Sequence, residues 1–461
     1  MALKLFNTLS RKVEDFEPLN PDLVSIYACG PTVYHYQHIG NYRRYINDDL
    51  LIRLLRAQGY KVKHVMNITD VGHLTSDEDI GEDKIEKGAR ESGQTVWEVA
   101  KFYEGDFWKS MAQLNIYPPD VIALATKHIK EQIKLIEQLV KNGLVYVTEE
   151  AIYFDVSKFP DYGKLSGQKL DEKETGSRQE VVEDKQKKHP QDFVVWFFTV
   201  GHHKDHTMRW PSPWGEGFPG WHIECSAMSM AYLGETLDIH TGGIDHIPVH
   251  HENEIAQSEG ATGKQFVKYW VHHEFLLIAG QKMSKSLNNL FVLKDIEDKG
   301  FESLAYRYLI LTAHYRDHLN FTWESLQAAQ NALNNLREGV RSWELGDKEN
   351  KECWGKFMKA LNYDLNTPQA LAVMWELIKS DLSSDQKSAT LLKMDQVLGL
   401  KLEDYIGKPL EIPEQVQKLI NQREKAREVK DFAKSDKLRK ELKQLGFEVE
   451  DTALGPRVKP G

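Results

Sequence analysis

Cysteine is scarce in this sequence of 461 residues, which contains Cys29, Cys225 and Cys353 and no others. So few cysteines argue against a disulfide framework, because sparse cysteines in a reducing compartment are more often metal ligands or inert core residues. The chain also lacks an apolar run close to the roughly 20 residues that cross a bilayer, and residues 1–11 lack the apolar core of a secretory signal. These absences predict a cytoplasmic protein with no membrane partner, in which Cys353 is inert.

Positive charge is in deficit overall, since the formal net charge is -10 at pH 7. That deficit would by itself argue against a nucleic-acid partner, because phosphate binding depends on clustered lysine and arginine. Residues 415–444 differ from the rest of the chain, with ten basic and five acidic side chains and therefore a net charge of +5. This segment is either a solvated helical face with Glu/Lys pairs four apart or a surface that binds RNA.

Hydrophobic residues make up 41% of the chain and charged residues 28%, so it can bury a large core divided among several domains. The pattern predicts a short buried strand over residues 24–28, a helix over 41–59 and a second strand over 61–68 that ends at Thr69. This order is that of a βαβ unit, in which ligands gather at the carboxyl ends of parallel strands. A further buried strand is predicted over 237–240.

We therefore predict an α/β fold with a Rossmann-like parallel-sheet catalytic domain, split over residues 1–115 and 216–300. The interruption, residues 116–215, is predicted to be an inserted connective module. Residues 301–405 are predicted to form an α-helical bundle, because amphipathic helical periodicity runs through almost all of them. Residues 406–461 are predicted to form a small C-terminal domain built on a basic helical pair.

Two short motifs suit a bound triphosphate. His38 to Asn41 (HIGN) opens a predicted helix, whose free amide groups and positive dipole end would face a phosphate, and His38 adds a donor at the α-phosphate. Lys282 to Ser286 (KMSKS) follows an apolar strand and supplies two lysines that can neutralise charge on the β- and γ-phosphates. The ordinary alternatives are a capping histidine and an exposed lysine-rich loop. Together the motifs favour ATP binding, with His38, Lys282 and Lys285 as the catalytic residues.

Four other side chains have the donor types of a zinc site, although they form no CxxC signature. His250 and Glu254 lie four apart on a predicted helix and so share one face, while Cys29 and Cys225 are expected at the ends of two separate strands. The alternatives are a buried cysteine that packs as a small hydrophobe and a helical histidine that is hydrogen-bonded in the core. The pattern alone leaves these alternatives open.

A resemblance to a known family favours the metal site. Residues 219–228 (PGWHIECSAM) and 250–254 (HHENE) closely resemble segments of cysteinyl-tRNA synthetases, which are class I aminoacyl-tRNA synthetases. With the HIGN and KMSKS motifs, the resemblance extends over almost the whole chain, from Leu5 to Lys459. It implies one zinc ion held by the four donors named above. It also implies that Thr69 contacts the substrate L-cysteine and that Trp221 closes the pocket over it.

The resemblance extends to the nucleotide and the tRNA. The contacts that it implies are His38, Gly40, Asn41, Gly242, Gly243, Asp245, Lys282 and Lys285 for ATP, and Arg427, Phe432, Asp436 and Asp451 for the anticodon of cysteine tRNA. With this module present, the basic segment is better explained as an RNA-binding surface.

The reaction implied is a two-step ligation. Cysteine and ATP, with Mg²⁺, form cysteinyl-adenylate, and the 3′ end of cysteine tRNA then accepts the amino acid. Zinc would select the substrate thiolate over the hydroxyl of serine, which an apolar pocket refuses only about a hundredfold, so no editing domain is needed. We expect the enzyme to be a monomer.

Two other functions remain as alternatives. A ligase that couples cysteinyl-adenylate to an amino sugar would have no C-terminal anticodon module. A catalytically silent relative that binds tRNA or senses cysteine would have lost its zinc donors or its motif lysines, which are present here. The loop from Val71 to Lys84 departs from the family pattern, and its role is open. His73, His246, His272 and His273 are either a histidine-rich wall near the zinc or ordinary polar residues.

Overall fold

The computed structural model describes residues 2–71, 74, 83–168, 187–283, 289–452 and 455–460. The strands in chain order are β1 (Lys4–Asn7), β2 (Lys12–Asp15), β3 (Leu23–Ala28), β4 (Lys61–Ile68), β5 (Val121–Leu124), β6 (Val145–Val147), β7 (Ala151–Phe154), β8 (Phe193–Phe198), β9 (Trp210–Ser212), β10 (Gly215–Pro219), β11 (Leu237–Gly243), β12 (Val267–His273), β13 (Leu276–Ile278), β14 (Gln281–Lys282), β15 (Leu319–Phe321), β16 (Phe447–Thr452) and β17 (Gly455–Pro460).

The helices in chain order are α1 (Ile39–Ala57), α2 (Lys84–Ser92), α3 (Val96–Gln113), α4 (Ile129–Lys141), α5 (Trp221–Leu233), α6 (His250–Thr262), α7 (Leu293–Asp298), α8 (Ser303–Leu311), α9 (Trp323–Val340), α10 (Lys351–Leu361), α11 (Thr367–Lys379), α12 (Ser384–Leu398), α13 (Glu414–Glu428) and α14 (Phe432–Gln444). None of the helices in the described ranges combines the length and the apolar composition that a bilayer crossing requires.

The chain forms two compact units. The first contains residues 1–330, 351–376 and 394–400, and the second contains residues 331–350, 377–393 and 401–461. Residues 301–405, which were predicted to form a helical bundle, contain α8 through α12 and are divided between the two units.

A five-stranded parallel sheet is the centre of the first unit, with the order β12-β11-β3-β4-β5. Most residues of its strands are buried, as expected for a parallel sheet between layers of helices, although the strands include polar side chains such as Asp238 and His240. The predicted Rossmann-like fold is therefore confirmed. The edge strand β5 pairs with β4 although it follows residue 115, where the sequence pattern predicted the inserted module to begin.

The inserted segment folds as an antiparallel sheet with the order β6-β7-β8-β10-β9. Trp196 of β8 is fully buried in one apolar cluster with Ile136 of α4, Ile223 of α5 and Ala256 of α6. Burying a large apolar side chain contributes roughly 1.5–3 kcal/mol relative to leaving it exposed. This packing therefore fixes α5 and α6 against the inserted sheet.

A buried carboxylate also joins α6 to the inserted segment through hydrogen bonds. Glu252 of α6 accepts hydrogen bonds from the backbone N–H groups of Gly163, Leu165 and Ser166, at 2.8, 3.1 and 2.8 Å. Buried donors and acceptors without partners cost free energy, so the three bonds both satisfy the loop and hold it on the helix. The start of α6 is thus held from two sides.

Helix α1 carries ionic groups into the core of the first unit. The Asp49 carboxylate pairs with Arg53 at 2.7 Å and with Arg307 of α8 at 2.6 Å, and all three side chains are at most 3% exposed. A buried ion that loses its partner costs several kcal/mol, so this cluster fixes α1 and α8 relative to each other.

The second unit ends in a β-hairpin, in which β16 and β17 pair antiparallel. It follows α13 and α14, which form the predicted basic helical pair, and Val449 of β16 packs with Val416, Ile420 and Leu442 of the two helices. The sequence pattern predicted the helices but not the hairpin.

Candidate active site and metal centre

The site lies where the connections of the parallel sheet change direction. From β3 the chain crosses to β4 on one side, and from β11 it crosses to β12 on the other, while β3 and β11 themselves are neighbours. In an open parallel sheet, ligands bind in the crevice that opens at this point beyond the carboxyl ends of the strands. Cys29 directly follows β3, and Asp245 lies in the 3-10 turn that follows β11.

A cluster of metal-binding side chains is buried at this point. One donor atom from each of Cys29, His250, His251 and Glu254 lies within 4.8 Å of the others. Oε1 of Glu254 is 3.0 Å from Nε2 of His250. The carboxylate and the imidazole are therefore close enough to bind one ion together. Thiolate, imidazole and carboxylate donors together fit zinc.

Cys225, the other predicted donor, is buried next to this cluster but on a different element from the one expected. Cys225 is 2% exposed, and its thiol interacts with the thiol of Cys29 and with the ring of His250. The prediction that Cys225 follows a strand was wrong, because it lies in α5, one turn beyond the N-cap residue Gly220. Helix α5 follows β10 almost at once, since the strand ends at Pro219 and the N-cap of the helix is Gly220.

Burial and charge shape the acidity of the cluster. Burial alone would lower the pKa of His250, but Glu254 and Cys225 outweigh it and raise the pKa to about 10. Burial opposes ionisation of Glu254 too, yet His240 and His250 lower its pKa to about 2. Burial raises the pKa of both Cys29 and Cys225. The two thiols are therefore protonated at neutral pH when no cation balances them, and a metal would displace those protons.

Of the histidines whose role was left open, His246 and His272 lie beside the cluster, whereas Nε2 of His273 lies 2.8 Å from Oδ1 of Asp48. Nδ1 of His251 lies 2.7 Å from Nε2 of His272, whose Nδ1 lies 2.7 Å from Oγ1 of Thr8. Nε2 of His240 lies 3.0 Å from Oε2 of Glu254. Such outer partners fix the tautomer and the orientation of metal-binding side chains. His246 lies near His250 and His251 in a 3-10 turn, while His73 is outside the described residues.

The two predicted substrate contacts adjoin this cluster. The ring of Trp221 stacks on that of His250, with centroids 4.2 Å apart and planes 2° apart. Thr69 donates a hydrogen bond from Oγ1 to Oε2 of Glu224 at 3.0 Å and is itself bonded by Asn67. Burial and the neighbouring Cys225 raise the pKa of Glu224 well above its usual range.

A cavity of about 400 Å³ opens beside the cluster. Among the predicted ATP contacts, those that line it are His38, Gly40, Asn41, Gly243, Asp245 and Lys282. Gly242 is buried beneath it, where a Cβ atom would approach Cε1 of His251 to 2.3 Å, so the chain tolerates only glycine at that position without movement of the histidine. Lys285 lies outside the described residues.

His38 is the N-cap of α1. Its Nδ1 accepts a hydrogen bond from the backbone N–H of Asn41 at 3.2 Å, while the Asn41 side chain accepts from the N–H of His38 at 3.1 Å. Burial lowers the pKa of His38 to about 4, so the ring is neutral at pH 7. Since Nδ1 is an acceptor, the proton of the neutral ring is on Nε2. The cap therefore leaves one N–H donor for the cavity.

Lys282 projects from the short strand β14 on the other side of the cavity. Its Nζ lies 4.3 Å from the centroid of the Phe275 ring, and its side chain is exposed. An exposed ammonium at the rim can contact a polyanion without the free-energy cost of burying its charge.

Of the four predicted tRNA contacts, two are joined in the second unit. Asp451 accepts two hydrogen bonds from Arg423, both 2.9 Å long, and lies 3.0 Å from Arg427. Asp436 and Phe432 are exposed on α14, and Phe432 retains 60% of its accessible surface.

Three family models match the chain. The model of the class I (C) tRNA synthetase catalytic domain covers residues 15–331, the DALR domain covers 356–403, and the cysteinyl-tRNA ligase anticodon binding domain covers 411–455. A cysteine–tRNA ligase of Treponema denticola is 45% identical over 98% of this chain and 98% of its own length. The chain belongs to the cysteinyl-tRNA synthetase family. It is therefore a class I ligase.

Other relatives agree with this assignment. Cysteine–tRNA ligase 1 of Burkholderia lata is 47% identical over 99% of this chain and 97% of its own length. The fold is also that of a Mycobacterium tuberculosis methionyl-tRNA synthetase solved with methionyl-adenylate, with a TM-score of 0.55, 14% identity, and coverage of 82% of this chain and 90% of that one. The Agrobacterium radiobacter K84 LeuRS in its complex with tRNA and LeuAMS has a TM-score of 0.58 at 13% identity, covering 84% and 85%.

Several residues of the site were not predicted from the sequence. His251 is beside a predicted donor on α6, but residues next to each other on a helix point in different directions, so the spacing rule selected only His250 and Glu254. Glu224 is next to the predicted donor Cys225 in the sequence, but a single acidic residue gives no sign that it is buried. No short motif signals either one, and both became recognisable only through their buried partners.

Proposed function

We propose that this synthetase attaches L-cysteine to the 3′ end of cysteine tRNA through a cysteinyl-adenylate intermediate, with zinc selecting the thiolate of the substrate. The observation that carries the proposal is the position of a buried cysteine, histidine and glutamate cluster directly beside a nucleotide-sized cavity at the switch point of the sheet. A thiol bound at the cluster would have its carboxylate within the same crevice as the phosphates of ATP.

Zinc would be held by Cys29, Cys225, His250 and Glu254, and when bound it supplies a preference for thiolate over hydroxyl that no apolar pocket could match. The donor set fits the metal because it combines soft and nitrogen ligands, all of them buried. His251 approaches Cys29 to 3.4 Å and is the second imidazole of the cluster. We propose that Trp221, stacked on His250, forms the wall over the substrate, and that Thr69 orients it from the opposite strand end.

In the first step, a carboxylate oxygen of cysteine attacks the α-phosphorus of ATP and pyrophosphate leaves. His38 donates from Nε2 to the charge that develops on the α-phosphate, and Lys282, with Lys285 on the same motif, neutralises the departing pyrophosphate. Mg²⁺ accompanies the ATP. The backbone around Gly40 and Gly243 allows close approach of the nucleotide, Asn41 caps the helix that receives its phosphates, and Asp245 holds the ribose.

In the second step, a ribose hydroxyl at the 3′ end of the tRNA attacks the mixed anhydride and AMP leaves. Recognition of the tRNA anticodon is assigned to the second unit, through Arg427, Phe432, Asp436 and Asp451. An exposed aromatic ring can stack on an unpaired base, and Arg and Asp side chains can bond its edges. The basic charge of residues 415–444 supports a polyanionic partner.

The decisive test is pyrophosphate exchange with cysteine and with serine, read together with the metal content of the purified protein. Exchange should depend on cysteine, and serine should support less than a thousandth of that rate. Addition of cysteine tRNA should then give charged tRNA. Exchange without charging would indicate an enzyme that passes the adenylate to another acceptor.

Cys225→Ser tests the metal assignment, and Cys353→Ser is its matched control because that cysteine is far from the cluster in sequence and only partly buried. We expect Cys225→Ser to lose bound zinc and to reduce discrimination against serine, while Cys353→Ser retains both. Unchanged zinc content in Cys225→Ser would remove this residue from the ligand set.

A further inference from the structure

Four aromatic rings form a partly exposed surface at the rim of the cavity. His35 and Tyr36 belong to the loop before α1 and line the cavity, and Phe102 and Tyr103 project from α3 beside them. We call this set the rim platform. Tyr36 retains 41% of its accessible surface and Phe102 retains 51%.

The rings of the rim platform support one another edge to face. Tyr36 meets Tyr103 with centroids 5.1 Å apart and planes at 90°, and meets Phe102 at 6.0 Å and 74°. His35 stacks on Tyr103 at 6.1 Å and 8°. In such edge-to-face packing the edge of one ring covers a face of the other, and the contact leaves both faces of the ring that presents its edge uncovered. The geometry is ordered, yet it does not bury the aromatic surface that it collects.

Aromatic faces of this kind suit an unpaired nucleic-acid strand. Each base has a π-face, so stacking on tyrosine or phenylalanine is sequence-tolerant and contributes roughly 1–3 kcal/mol per base. A positive charge is also close, because Nζ of Lys84 lies 5.7 Å from the ring of Tyr34 and both residues line the cavity. An ammonium there can contact a phosphate of a strand that enters the cavity.

We propose that the rim platform stacks the unpaired nucleotides that precede the terminal nucleoside of the tRNA. The inference rests on the proposed function, which brings a single-stranded 3′ end to this cavity. Tyr36 carries the argument because it lines the cavity and also belongs to the platform, so a strand whose last ribose enters the cavity on this side would lie over the ring. A second copy of the chain or another protein is a different occupant, and the experiment below separates them.

The test variant is Phe102→Ala, because Phe102 is exposed, lies on the platform and does not line the cavity. Trp97→Ala is the matched control, since Trp97 is on the same helix and is also 51% exposed. Phe102→Tyr preserves the stacking face and should rescue the loss. Cysteine-dependent pyrophosphate exchange, which needs no tRNA, is measured first in every variant.

We expect Phe102→Ala to keep normal exchange but to raise the KM for tRNA in charging roughly 5- to 100-fold, the factor equivalent to one lost base stack. Trp97→Ala and Phe102→Tyr should stay within about twofold of the parent. Binding of a tRNA trimmed of all its unpaired 3′ nucleotides should be the same for the parent and Phe102→Ala, because the trimmed molecule lacks the bases that would stack on the platform.

An unchanged KM in Phe102→Ala would overturn the proposal, as would an equal loss of affinity for trimmed and intact tRNA. If Phe102→Ala instead shifted a concentration-dependent dimer to monomer with normal charging, the platform would be an interface between copies. If the parent protein showed no cysteine-dependent exchange, the proposed function would fail, and the trimmed-tRNA comparison would still report on the platform by itself.

Discussion

Asp451 is a predicted tRNA contact and is also an ion-pair partner within the second unit. As a predicted tRNA contact it should matter only when tRNA is present, but it also neutralises Arg423, whose side chain is 1% exposed. Asp451→Ala removes both 2.9 Å hydrogen bonds to that guanidinium and leaves Glu424, at 2.7 Å and 32% exposed, as its remaining charged partner. The substitution therefore strands much of a buried positive charge.

The magnitude follows from the exposure of the two partners. Breaking a fully buried ion pair costs about 3–5 kcal/mol, and an exposed pair contributes about 0–1 kcal/mol. Because Asp451 is 40% exposed and Glu424 remains, we expect a loss of about 2 kcal/mol in the local stability of the second unit. That loss corresponds to amide hydrogen exchange roughly 30-fold faster.

Hydrogen exchange of the full chain without tRNA, followed by mass spectrometry over residues 414–428 and 447–452, measures this directly. Asp436→Ala is the matched control, since Asp436 is exposed on the neighbouring helix and its removal should change local stability by less than about 0.5 kcal/mol. The bonds from Arg423 lower the pKa of Asp451, so the contribution is present above pH about 4 and is lost as the pH falls. Exchange rates within twofold of the parent in Asp451→Ala would refute the reasoning.

Two further outcomes are expected. Burial lowers the folded-state pKa of His38 to about 4, below its unfolded value of about 6.5, so the stability of the protein should decline as the pH falls from about 6.5 to 4. For the same reason His38 should cause no inflection near pH 6.5 in the pH–rate profile of pyrophosphate exchange. An inflection there that disappears in His38→Asn would contradict this. Asp49→Asn leaves Arg307 without its buried partner and should cost about 3–5 kcal/mol, lowering the unfolding midpoint, whereas Asp298→Asn, which breaks an exposed pair, should cost less than about 1 kcal/mol; equal midpoints for the two variants would contradict the role of burial.

The parallel sheet was predictable because its strands are buried on both faces. The predicted strand over residues 61–68 matches β4 residue for residue, and the helix after His38 was expected within two residues of its start. Val62, Val65, Met66 and Ile68 mark β4 as a strand despite its polar residues, and the helical spacing of apolar residues after His38 marks α1. This is why the HIGN motif could be assigned to a strand-to-helix connection without coordinates.

Cys225 shows where the same approach fails. Residues 222–229 are all buried, so α5 has no polar face and its periodicity cannot distinguish a helix from a strand. The hairpin at the C-terminus was missed because it follows two strongly helical segments, although residues 447–450 alternate apolar and charged side chains as a half-exposed strand does. His251 was missed for a third reason: its role depends on His272 and Thr8, which are distant in the sequence and meet it only in the folded chain.

The 222 positions between Cys29 and His251 have a consequence for synthesis on the ribosome. Cys29 leaves the exit tunnel long before α6 exists, and the whole inserted sheet must be translated in the interval. A nascent chain therefore exposes a lone thiol with no partner to share a cation. Zinc, where it binds at this cluster as proposed, would be acquired late in biogenesis, and cells starved of zinc should then accumulate full-length but immature enzyme rather than truncated chains.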